Sequence, residues 1–160
     1  MLPKRKWQNR PFEIRNFLNP YFCAVLIWQT VDSYCIEKKS GMAFSLSFLI
    51  LPLILNEDMC NELPKTKEAN PLNWFDKINQ ETFIEMPSFC HNLAPYTREA
   101  VILGMQHQFL IINDKGLIKS NKYIEKLEGI SVYRDKAKVL GHLFAKTTPE
   151  TIFTKLKFIP

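Results

Sequence analysis

Residues 42–55, MAFSLSFLILPLIL, carry no charge, and Ser45 and Ser47 are their only polar side chains. A membrane-spanning helix needs about 20 apolar residues, so this shorter run predicts a buried core helix, placed at 43–55. Pro52 should kink it near its end. The preceding segment, about 20–40, places Phe22, Val25, Leu26, Trp28, Val31, Tyr34 and Cys35 at helical spacing. Asn19-Pro20 supplies a start signal and Gly41 a stop.

Residues 56–70 read as a polar connection with a half-turn at Met59-Cys60; Glu57 and Asp58 either crowd the preceding helix end or open that turn. A helical stretch follows over 71–107, entered through Pro71. Phe83, Ile84, Met86 and Phe89 mark its apolar positions, and Pro87 is a point of interruption. Pro95 precedes a helix from Tyr96 to His107, whose Val101, Ile102, Leu103 and Met105 predict a buried face. The clearest strand signal spans 108–119, where apolar β-formers flank Asn113-Asp114-Lys115-Gly116; it predicts a hairpin. A polar connector over 120–131 leads to C-terminal helices at 134–146 and 149–157.

The fold class is therefore mainly α: a compact helical domain with a winged-helix-like β-hairpin and C-terminal helices. A plain helical bundle decorated with one hairpin is the other arrangement the pattern allows. Residues 1–10 form a basic N-terminal arm with Trp7 as its large apolar group, and 11–160 a single domain.

Composition adds a surplus of rings, with twelve Phe against five Gly. That suggests a rigid interior or apolar surface reserved for a partner. Trp7, Phe12, Phe17, Phe158 and Ile159 lie outside the central core pattern and are the candidate partner interface. The net charge of +5 is concentrated at the ends: Lys4, Arg5, Lys6, Arg10 and Arg15 open the chain, and 115–160 hold ten basic residues against four acids. Such ends suit proximity to nucleic acid or an acidic partner, or simply a solvated surface. The basic N-terminus lacks the apolar segment of a signal peptide. With four cysteines and no Cys-x-x-Cys pair, reduced thiols in a cytoplasmic protein are expected.

Catalytic signatures are missing. Cys90-His91 resembles half of a zinc site, but His107, His142 and Cys60 stand at long, irregular spacings. As a nucleophile pair, Cys90 and His91 would point about 100° apart on a helix. Acidic residues are scattered, and the glycines stand alone, so no phosphate-binding loop is present. No catalytic residue, metal or cofactor is expected. Arg98, near the start of the helix before the hairpin, has the reach for guanine or phosphate. Lys115, Lys119 and Lys122 on or after the hairpin, with Lys136 and Lys138, are candidates for contact with the DNA backbone.

Four segments in order suggest a family. Arg10-Pro-Phe-Glu-Ile-Arg-Asn-Phe-Leu-Asn-Pro-Tyr-Phe-Cys23 resembles the opening of the middle component of bacterial three-component ABC systems. The segment 41–55, with its late proline, is similar to that family's central helix. Leu93-Ala-Pro-Tyr-Thr-Arg-Glu-Ala100, and Leu140-Gly-His-Leu-Phe-Ala-Lys146 with the closing 151–160, complete the likeness over residues 10–160. The resemblance implies a small non-catalytic subunit of an SMC-like complex, as in Lamassu-type anti-phage defence. Its partners would be an SMC-like ABC ATPase and an effector, often a nuclease, with double-stranded DNA met mostly through the complex. A stand-alone winged-helix transcription regulator is the rival expectation, and an enzyme dependent on Cys90 or a histidine the third.

Overall fold

A computed structural model describes residues 18–126 and 129–156. The basic arm, together with Trp7, Phe12, Phe17, Phe158 and Ile159, lies outside the described residues. These contain seven α-helices and a three-stranded antiparallel sheet, which makes the domain mainly α with a β-hairpin.

The first helix, α1 (Pro20–Lys38), starts where the sequence indicates. Asn19 Oδ1 accepts the backbone N–H groups of Tyr21 at 2.8 Å and Phe22 at 3.4 Å. Pro20 occupies the first turn, where a missing N–H costs nothing. The stop differs from expectation. Lys39, not Gly41, takes the left-handed conformation (φ 62°) and donates its N–H to Cys35 O. Gly41 is needed for close approach, since a Cβ there would lie 2.9 Å from that of Leu117.

Residues 23–31 of α1 are buried without a break. A helix buried all round sits in the middle of its domain, and α1 packs against elements from both halves of the chain. The stretch at 42–55 is also in the core, with Leu46, Leu49, Ile50, Leu51 and Leu53 fully buried. It is not one helix from residue 43. Strand β1 (Met42–Ala43) and a 3₁₀ turn (Phe44–Leu46) precede α2 (Ser47–Leu55). Two residues are too few to show a strand's alternation.

The polar connection holds a short helix, α3 (Glu57–Glu62), capped by Asn56 Oδ1 on the Met59 N–H at 3.1 Å. Glu57 and Asp58 thus stand in a first turn, at the favourable end of the helix dipole. Helix α4 (Pro71–Lys77) is capped by Asn70. The chain then breaks at Ile78 and Asn79, and Asn79 caps α5 (Gln80–Gln106). This 27-residue helix runs through both Pro87 and Pro95. An interior proline costs about 3 kcal/mol. Burial of Met86, Cys90, Leu93, Tyr96 and Val101 along the inner face offsets that cost. No helix begins at Tyr96.

At the end of α5, Phe109 N–H reaches Gly104 O and Gln108 N–H reaches Met105 O, the paired bonds of a Schellman motif. Gln108 holds the left-handed position (φ 62°). The hairpin follows, with β2 (Leu110–Ile112) paired to β3 (Leu117–Ser120). Asn113 Oδ1 organises the turn by accepting the N–H groups of Lys115 and Leu117. Strand β1 adds to the other edge of β3, giving the order β1-β3-β2.

Helix α6 (Ser131–Ala145) begins three residues before the expected start, and α7 (Pro149–Lys155) is capped by Thr148. Contacts between α1 and α6 advance in the same direction along both. Phe22 meets Tyr133, Gln29 meets Arg134, Thr30 approaches Gly141 and Glu37 meets His142. The two central helices are therefore parallel. Among the described residues no helix is long and apolar enough to cross a membrane.

Candidate functional site

The candidate DNA-contacting residues fall in different places. Arg98 is exposed in the interior of α5, well past the first turn, so the end-on geometry of a recognition helix is not formed there. Its guanidinium lies 5.9 Å from the centroid of the Phe48 ring. Phe48 meets Phe44 edge to face at 5.4 Å, and Phe44 N–H donates to Gly116 O at 3.0 Å. This relay of contacts brings Arg98 and the hairpin turn carrying Lys115 to one end of the domain. Lys119 is exposed on β3, beside Gly41 and the C-terminal end of α1. Lys122 is exposed beyond β3, its N–H bonded to Gln108 O. Lys115, Lys119 and Lys122 therefore follow the hairpin from tip to base. Lys136 and Lys138 stand about 200° apart around α6 at 3.6 residues per turn. Lys136 is half-buried, and its charge acts on Cys60 of α3.

The cysteine and histidine chemistry is dispersed. Cys90 is buried, and desolvation pushes its thiol up to about 12. Adjacent His91 is exposed. His107 stacks on Phe109 at the end of α5, and His142 is buried against Glu37. Cys23 is raised to about 12, first by burial, then by the charge of Glu99, against the lowering effect of a backbone hydrogen bond. Burial also raises Cys35 and Cys60. A thiol so held is a poor nucleophile and a poor metal ligand. Among the described residues no group of three or more His, Cys, Asp or Glu could hold a metal ion.

Two features carried no local sequence signal. Arg134 is buried, donates through Nε to Gln29 Oε1 at 2.8 Å, and bonds the carbonyls of Ile124 and Glu125. Its guanidinium lies 5.4 Å from the Trp28 ring centroid, and Tyr123 meets that ring edge-on. The connector after β3 is thereby fastened to α1. The second is an open groove of about 460 Å³ beside α3 and α4, with Asn61, Lys65, Asn73 and Trp74 among its lining. Lys146 closes one side of this region through the carbonyls of Lys67 and Ala69.

The predicted buried face of α5 divides. Val101 is buried and Leu103 half-buried, but Ile102 is 55% exposed and Met105 42%. Ile84, on the same helix, is 79% exposed. An apolar residue on this helix does not have to face its own core.

The chain matches the family described as ABC-three component (ABC-3C) system Middle Component 3, over residues 7–160. No curated protein and no solved structure matches it.

Proposed function

The chain belongs to the ABC-three component system Middle Component 3 family, and from that premise we propose that it is a non-catalytic accessory subunit bridging an SMC-like ABC ATPase and an effector nuclease. The complex would serve anti-phage or anti-plasmid defence in the cytoplasm, in the manner of Lamassu systems. The family match across nearly the whole chain is the observation that carries this reading. The dispersed histidines, the high-pKa thiols and the exposed apolar side chains of α5 are consistent with a protein that works through contacts. DNA would be met through backbone contacts along the hairpin, where Lys115, Lys119 and Lys122 position without reading sequence.

Co-expression with the neighbouring genes of its own operon, followed by purification through a tag on this chain, tests the proposal. The expected result is a stable assembly containing an ATPase and an effector at fixed ratio. A monomer that elutes without either would overturn it.

A further inference from the structure

One stripe of α4 forms a wall of the open groove of about 460 Å³. Its cap Asn70 is followed at helical spacing by Asn73, Trp74 and Lys77, and all four line the groove. Asn61 and Glu62 at the end of α3, and Lys65 in the loop between the helices, line it as well. The lining is rich in donors that nothing uses. Among the described residues no partner engages the carboxamides of Asn61 and Asn73 or the ammonium groups of Lys65 and Lys77. Asn70 uses only its Oδ1, on the Leu72 N–H at 2.9 Å. The indole N–H of Trp74 is buried and unpaired. Against these donors stands one carboxylate, Glu62.

We propose that the groove binds an extended, acidic segment of another protein chain. Unmet donors, with two cations against one anion, call for a ligand rich in acceptors and negative charge. A carboxamide carries an acceptor beside its donors, so Asn61 and Asn73 can meet both the N–H and the C=O of a peptide backbone. From Asn70 to Lys77 the stripe runs about 10 Å at 1.5 Å per residue. That is the length of about three residues of extended chain. Lys65 and Lys77, both exposed, supply the counter-charge for its Asp or Glu side chains.

Other anionic ligands fit less well. Glu62 repels the phosphates of a nucleic acid, and single-stranded bases need an exposed ring to stack on. Trp74 is 2% exposed and offers none. A small organic anion would stay largely in water, because the groove is open, whereas small-molecule sites enclose nearly all of their ligand. A helical segment has its backbone groups paired internally and leaves the carboxamides without that match.

The purified full chain suffices as bait, so the outcome is separate from assembly with an ATPase. A displayed library of random short peptides is selected on the wild type and counter-selected on Lys65→Glu/Lys77→Glu. The counter-selection removes peptides held by lysines elsewhere on a chain of net charge +5. Both positions are exposed, so this variant should melt with the wild type. We expect the selected peptides to be rich in Asp and Glu and to bind at least tenfold more weakly to Lys65→Glu/Lys77→Glu. Asn73→Leu, which leaves the charges in place, should weaken them to a similar degree. Affinity should fall as salt rises, and binding should shift the NMR signal of the Trp74 indole N–H. A selection without acidic enrichment, or affinity unchanged in either variant, would overturn the proposal. So would equal displacement of the peptides by inorganic phosphate or by a short DNA strand.

Discussion

A Cβ added to Gly141 would lie 2.2 Å from the carbonyl oxygen of Thr30, so α6 and α1 meet backbone to backbone. The obstacle is main chain and cannot rotate away. Gly141→Ala should therefore cost about 3 kcal/mol or more through overpacking, a fall in Tm of about 6–12 °C for a domain of this size. Gly104→Ala is the control. Its new Cβ meets mainly the end of the Leu110 side chain, at 2.7 Å, which can turn aside. Thermal melts that rank the two variants equally would show that the α1–α6 crossing is wrong.

Arg134→Lys tests the fastening of the connector. Lysine cannot span Gln29 Oε1 and the carbonyls of Ile124 and Glu125 together. Leaving buried acceptors unmatched should cost about 1–3 kcal/mol. Proteolytic cleavage within residues 121–130 should rise along with the loss of stability. Unchanged cleavage there would mean that Arg134 does not hold this segment.

Alkaline pH should weaken the fold through its thiols. Cys23 and Cys90 stand near 12 when folded, against an ordinary 9.0. Between those values the unfolded chain loses protons that the folded chain keeps, so stability falls as pH rises. The contribution is intact below pH 9 and gone by about pH 12. Urea midpoints measured from pH 8 to 11 should decline more steeply for the wild type than for Cys23→Ala/Cys90→Ala. Parallel declines would sink the assignment.

Gln108→Gly should stabilise the protein. Gln108 sits at a position that favours glycine, φ 62°, in the turn that ends α5. Relief of left-handed strain is worth about 1 kcal/mol. A lower Tm for this variant would contradict the turn geometry.

Lys115, Lys119 and Lys122 are exposed, so their joint replacement by alanine should leave the melt unchanged. If they meet phosphates in the assembled complex, the slope of log affinity against log salt should fall by about 0.9 per lysine. An unaltered slope would remove the hairpin from the DNA path.

The sequence showed most clearly what is decided locally. Asn19-Pro20 and Pro71 marked true helix starts because cap and proline act within one turn. The hairpin was legible in its Asn113–Gly116 turn. Pro87 and Pro95 misled, because the local rule against interior proline gave way to burial along one continuous face of α5. Gly141 against Thr30, and Arg134 against Gln29, join residues more than a hundred positions apart, so neither has a local signature. Ile102 and Met105 looked like core because an apolar run along a helix does not say which of its residues the rest of the domain covers.

The parallel pairing of α1 with α6 also dictates the order of events during synthesis. The ribosome releases α1 before the other described elements, yet its principal neighbour is complete only when residue 145 has emerged. Until then α1 has α2, α5 and β3 as neighbours but its largest contact is missing, and buried side chains stay exposed, the condition in which nascent chains aggregate or recruit chaperones. The domain cannot mature by halves, and a fragment ending before α6 should be recovered only with a holdase chaperone or as an aggregate.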